Sequence, residues 1–234
     1  MTVCFSGFER SHAPVRCALH LLGAHACWVL TGCLQTAVLC CARLRVSRYD
    51  ADGFHTASQQ SRSILPPGKL GDFDSGFTNN PTALVLRNGS VTLLYKGRQA
   101  TCPACSGMRT GVAKAQTWRG PYVKESTAPI PVPASCEDPA AYVTPGGVYR
   151  VLFHCGCSYV VAVSADGVHF STIGAPKPWC DIKYFDGTAE TLRRRERPQW
   201  VMGPDGLPTH LMTGVRPAEG THSGMVWTMA VALL

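Results

Sequence analysis

Two acidic residues stand where a chain would have to hold them if they were to move protons. Asp138 directly precedes Pro139 in CEDPAAYVTPGGVYRVLFH, and Glu196 precedes Arg197 and Pro198 in ERPQWVMGPDGLPTHLMTG. A carboxylic acid and a carboxylate on either side of one bond can give and take a proton in a single reaction. The same residue types also serve as turn acids that accept backbone N–H bonds and do no chemistry. A third stretch, NNPTALVLRNGSVTLLYKG, sets Asn80 before Pro81 in the matching place. An amide takes no proton from water near neutral pH, so this position departs from the other two.

The elements that must hold these residues recur. Pro81 and Pro139 are 58 residues apart, and Pro139 and Pro198 are 59 apart. Each proline opens an apolar run, then an Asn-Gly, Pro-Gly-Gly or Pro-Asp-Gly turn, then a second apolar run. Equal spacing marks a repeat architecture. Short runs bounded by such turns predict antiparallel meanders. The first repeat predicts strands over 83–86, 91–95, 110–115 and 122–124, and the second over 140–143, 148–153, 158–164 and 168–173. The third predicts 199–202, 209–212 and 225–232, with no fourth. Nothing after residue 70 keeps a helical period. Four-stranded sheets in series are the blades of a β-propeller. A β-sandwich is the rival, but it gives no reason for equal spacing. In a propeller the first strand of each blade lines the central channel, so Asn80, Asp138 and Glu196/Arg197 converge there. His154 closes the second strand of its repeat, either facing the channel or satisfied by backbone. Each proline is expected at its strand's first residue, where a missing donor is tolerated.

The 234 residues are 45% hydrophobic and 16% charged, with a net charge of +7. That suits a folded protein with a core. The positive charge does not predict a nucleic-acid partner. Its only tight cluster, Arg193, Arg194, Arg195 and Arg197, brackets Glu196 and reads as a solvated loop with an internal ion pair. Residues 1–45 form an apolar, Cys-rich segment, and 17–42 carry no Asp, Glu, Lys or Arg. That run is long enough to cross a bilayer. It also fits an over-long secretory signal, or a start that never folds with the domain. No strands are expected in it. Residues 46–70 read as a linker with a Pro-Pro-Gly break, and 71–234 as the propeller domain.

Twelve cysteines split evenly: 4, 17, 27, 33, 40 and 41 lie in the N-terminal segment, and 102, 105, 136, 155, 157 and 180 lie in the repeats. Cys102-x-x-Cys105 and Cys155-x-Cys157 allow a zinc site, but the second spacing is unusual for one. Disulfides, and with them the secretory pathway, are the plainer expectation. Asn88-Gly89-Ser90 is a glycosylation acceptor in that compartment.

Asp138-Pro139, Glu196-Arg197-Pro198, the SADGVHF turn (164–170), DGLPTHLMTGV (205–215) and the closing WTMAVAL (227–233) together resemble the five-bladed β-propeller glycoside hydrolases of families 32 and 43. The resemblance covers about residues 71–234. It implies an oligo- or polysaccharide partner. Calcium at the funnel occurs in some members of that group, but no ligand set for a metal is visible in this sequence, and no cofactor is expected. It implies Glu196 as general acid, and Asp138 as the neighbour that raises the acid's pKa and holds a sugar hydroxyl. The base position holds Asn80, with Asp74 as a substitute base. Asn80, His154, Arg197 and Asp72 are the expected sugar contacts. Trp179, Trp200 and Trp227 either stack on sugars or pack between blades. Two alternatives stand beside a hydrolase: a carbohydrate-binding pseudoenzyme that lacks the base, and a protein-interaction propeller. Five blades of this period need about 300 residues, so the chain is expected to hold an incomplete propeller with about three recognisable blades.

Overall fold

A computed structural model describes residues 63–100, 107–126, 128–218 and 226–233 in full, and further strands upstream by their backbone alone. These are β1 (Leu21–Leu22), β2 (His25–Gly32), β3 (Gln35–Cys40), β4 (Arg45–Tyr49) and β5 (Ser58–Gln59), an antiparallel sheet in sequence order. These strands correct the expectation of none in residues 1–45, and β4 and β5 extend into the stretch that reads as a linker. The apolar run is broken by a two-residue gap between Gly32 and Gln35, short enough for a hairpin, and the two halves pair from Cys27–Cys40 to Gly32–Gln35.

Three further sheets follow the repeats. β6 (Phe77–Val85), β7 (Val91–Arg98), β8 (Arg109–Ala115) and β9 (Val123–Lys124) form one meander. β10 (Glu137–Val143), β11 (Tyr149–Cys155), β12 (Ser158–Ser164) and β13 (Ser171–Pro178) form the next. A hairpin of β14 (Asp181–Lys183) and β15 (Ala189–Thr191) leads to the last sheet, β16 (Arg194–Met202), β17 (Pro208–Arg216) and β18 (Trp227–Ala232). The architecture is all-β and propeller-like, with sheets that do not close a ring. β10 packs between β6 and β16, so the first strands of the three sheets lie side by side.

Alternation along the second strands builds the core. Phe153 and Val151 face a cluster with Leu94, Val112, Ile130 and Val132, between the first two of these sheets. Leu152 points the other way, onto Trp179 and Leu211 and so towards the last sheet. Period 2 thus gives each middle strand two buried faces. Full burial of a side chain such as Phe153 stabilises the fold by about 1.5–3 kcal/mol. Trp179 and Trp200 serve packing: Trp179 Nε1 donates to Arg195 O at 2.6 Å, and Trp200 Nε1 donates to Ala140 O at 3.1 Å, tying β16 to β10. Trp227 is half-buried against a cluster with Leu192 and Val215.

The Ser164–Gly167 turn is fixed by polar bonds. Ser164 Oγ accepts from Gly167 N, while Asp166 accepts from Val168 N and His169 N. The His169 ring, then these backbone donors, hold the Asp166 carboxyl well below the usual range. Gly167 has φ +72°, and a Cβ there would meet the Tyr149 ring at 2.6 Å. This longer turn explains why the last strand of the sheet starts at Ser171 rather than at the expected Val168.

Among the described residues two disulfides are present, Cys136–Cys155 and Cys157–Cys180. They place Cys155 and Cys157 in separate bridges, so these two do not form half of a zinc site. Cys102 and Cys105 lie outside the described residues. Among the described residues no group of three or more His, Cys, Asp or Glu is arranged to hold a metal, and no helix is long and apolar enough to cross a membrane.

Candidate functional site

The prolines do not begin their strands. Each sits inside one, at a bulge. Pairing shifts register between Asn79 and Thr82, between Glu137 and Ala140, and between Glu196 and Gln199. The unpaired residues are Asn80-Pro81, Asp138-Pro139 and Arg197-Pro198. A bulge leaves a residue out of the ladder, which is where a proline's missing donor costs nothing. The strands therefore begin earlier than their apolar runs suggest.

Asn80, Asp138 and Arg197 have φ of 42°, 51° and 54°, and they are the only non-glycine residues of positive φ among the described residues. Asn and Asp tolerate the left-handed region; an arginine there carries strain of about 1–3 kcal/mol. This geometry fixes which positions are equivalent. Asn80, Asp138 and Arg197 form one set, and their predecessors Asn79, Glu137 and Glu196 form another. The third counterpart of Asp138 is thus Arg197, not Glu196.

The first set lines a shallow, open cleft with about 10 Å³ of enclosed space, together with Pro81, Pro139, Pro198 and Gln199. Asn80 Nδ2 donates to Asp138 Oδ1 at 2.5 Å. Lys96 Nζ lies 3.9 Å from the same oxygen, and His154 Nδ1 lies 3.7 Å from Asp138 Oδ2. Asp138 is 9% exposed and His154 4%, and His154 Nδ1 has no hydrogen-bond partner among the described residues. The Cys136–Cys155 bridge joins a residue two before Asp138 to the residue directly after His154, and Glu137 lies opposite His154 in the ladder. The acid and its neighbours are therefore held on a covalently stapled strand pair.

Sequence reasoning missed Lys96 and Glu137. Lys96 Nζ reaches Glu137 Oε2 at 2.6 Å across the two sheets. The available signal was a lysine ending the apolar run VTLLYK, on a strand buried along nearly its whole length.

Other expected site residues lie elsewhere. Glu196 does not line the cleft; Arg194 Nη1 donates to its Oε1 at 3.3 Å. Asp74 and Asp72 line a second cleft with Phe73, Lys124, Glu125 and Ser126. Asp74 is 1% exposed. It accepts from Tyr95 Oη at 2.9 Å and pairs with Lys124 Nζ at 2.6 Å. Burial first, then the Asp74 charge, push the Tyr95 phenol far above its ordinary range. A Cβ on Gly97 would meet Asp74 Cβ at 2.5 Å, so only glycine admits this carboxylate beneath β7. Asp72 accepts from Lys69 N at 2.8 Å.

No protein-family model and no curated protein matches the chain. Solved structures do. A family 117 glycoside hydrolase from the marine bacterium Zobellia galactanivorans matches with TM-score 0.57 at 16% identity, over 88% of this chain and 59% of that one. An endo-arabinase from Bacteroides thetaiotaomicron matches with TM-score 0.60 at 13% identity, over 87% and 73%. An α-L-arabinofuranosidase from Lactobacillus brevis matches with TM-score 0.58 at 12% identity, over 92% and 76%. The chain spans about three-fifths of the length of several structures that it matches. Bulged first strands side by side, four-stranded meanders and these likenesses agree: the chain has the fold of the propeller glycoside hydrolases, as a divergent or partial version.

Proposed function

We propose that the chain is a carbohydrate-binding propeller whose channel holds sugar hydroxyls on Asp138 and does not cleave the glycosidic bond. One observation carries this reading. The Asn80 amide donates to Asp138 from the place where a second carboxylate would serve as base. Two-carboxylate hydrolysis needs an acid and a base or nucleophile flanking one bond. Among the described residues the cleft offers a single carboxylate, two amides and a guanidinium. Asp74 is a poor substitute base, because it is buried in a separate cleft and its Oδ2 is committed to both Tyr95 and Lys124. An oligo- or polysaccharide partner is supported by the fold and by the glycosidases that share it. The two disulfides suit an oxidising compartment, and residues 71–234 act as one propeller domain.

The hydrolase reading keeps one observation in its favour. Glu196 is about a third exposed, and its ion pair with Arg194 is a surface contact of the kind worth little. Its side chain is free to turn towards the channel and act as general acid beside Asp138.

The test is calorimetric titration of an oligosaccharide panel, with product analysis of the same mixtures. Wild type should bind and release no product. Asp138→Asn, which keeps shape, should weaken binding about tenfold to a hundredfold, the worth of a hydrogen bond to a charged group. Product release that disappears in Glu196→Gln would establish the hydrolase instead.

A further inference from the structure

We infer that the channel selects acidic sugars, residues that carry a carboxylate or a sulfate ester, and that Arg197 is the residue that reads the anion. The inference rests on the carbohydrate reading above and narrows its substrate class.

Lys96 is bonded to Glu137, and Arg194 to Glu196. Arg195 is buried, stacked 4.0 Å from the Trp179 ring centroid, and donates to Trp179 O and Thr213 Oγ1. Arg197 alone among these cations makes no hydrogen bond or ion pair with a described residue. It is partly buried and lines the same cleft as Asp138, yet the two do not come within ion-pair distance. Opposite charges that share a cleft without meeting leave room for a ligand that touches both. A sugar hydroxyl donates to Asp138; an oxyanion accepts from Arg197.

Two further facts point to an anion rather than a neutral ring. The Arg197 backbone sits at φ 54°, where the other two blades carry Asn and Asp, residues that tolerate it better. An arginine at that position is strained, and strain of this kind gathers at ligand sites. The cleft is also small. Its enclosed space is about 10 Å³, far below the roughly 300–1,000 Å³ of pockets that enclose whole small ligands. A ligand therefore rests across its mouth and presents one substituent to it. A planar guanidinium fork matches a carboxylate or sulfate in two parallel bonds, which a hydroxyl cannot do.

The experiment titrates the protein with trigalacturonate, a sulfated galactose disaccharide, a neutral galactose trisaccharide and inorganic sulfate. At least one acidic sugar should bind about tenfold or more tighter than the neutral one. Arg197→Gln should remove that preference by weakening acidic-sugar binding about tenfold more than neutral-sugar binding, and Arg197→Lys should restore part of it. Which acidic sugar wins separates carboxylate from sulfate recognition. Equal affinity for acidic and neutral sugars, or a preference unchanged in Arg197→Gln, overturns the inference but leaves the carbohydrate reading standing. Inorganic sulfate binding as tightly as the sulfated sugar overturns it as well, since the site would hold an adventitious ion only. Binding of no sugar of either class overturns both. Melting curves of both variants confirm that each is folded.

Discussion

Asp74→Asn should lower stability by about 3 kcal/mol and leave sugar binding in the channel unchanged. The carboxylate is fully buried and holds two partners, Tyr95 Oη and Lys124 Nζ. Breaking a buried pair by removing one charge costs about 3–5 kcal/mol, because the other is stranded. Lys124 retains 25% side-chain exposure, which puts the cost at the lower end. The amide still accepts from Tyr95 but offers Lys124 no charge. In a chain of this size the melting temperature should fall by about 6–12 °C. A role as catalytic base makes the opposite prediction, a variant of normal stability and lost turnover. Urea unfolding and sugar titration of the same sample separate the two.

Asn80→Asp is the second large effect. It replaces a donor with a carboxylate at hydrogen-bond distance from Asp138. At an effective dielectric of about 20, two like charges roughly 3 Å apart repel by about 5 kcal/mol. Lys96 and His154, both near Asp138, offset part of this. A loss of about 2–4 kcal/mol at pH 8 is expected. The penalty should fade as the medium is acidified, because one proton shared by the two oxygens restores a donor between them. Wild type has no such pair, so the gap between the two unfolding curves should narrow from pH 8 to pH 4. A gap that stays constant would mean that the two side chains do not meet.

How far the sequence led can be judged residue by residue. The spacing of Pro81, Pro139 and Pro198 was enough to predict meanders and convergent first strands, because period and turn chemistry are local properties. The bulges were not legible. A bulge is a mismatch between two strands, and it shows only when the partner's register is known. That is why Glu196 was expected at the channel, while the register puts Arg197 in the place of Asp138 and Asn80. Asp74 looked available because it lies only six residues before Asn80. Its fate depended on Gly97, a residue on the neighbouring strand that leaves room for it. The strands of residues 21–59 were hidden for another reason. The apolar run of β1 to β3, short of charge, reads alike as buried strands or a membrane span, and the polar run of β4 and β5 reads as a linker. The pairing Cys136–Cys155 followed from the hairpin once Glu137 stood opposite His154, whereas Cys157–Cys180 joins a turn to a distant loop and no local pattern announces it.

The central claim is that sugar binds between Asp138 and Arg197, and a crystal soaked with a bound oligosaccharide tests it most directly. The account predicts density for a sugar ring with a hydroxyl about 2.6–2.8 Å from an Asp138 oxygen, and an acidic substituent paired to the Arg197 guanidinium, with the glycosidic bond intact. A sugar found instead over Asp72 and Lys124, or a cleaved product beside Glu196, would contradict it.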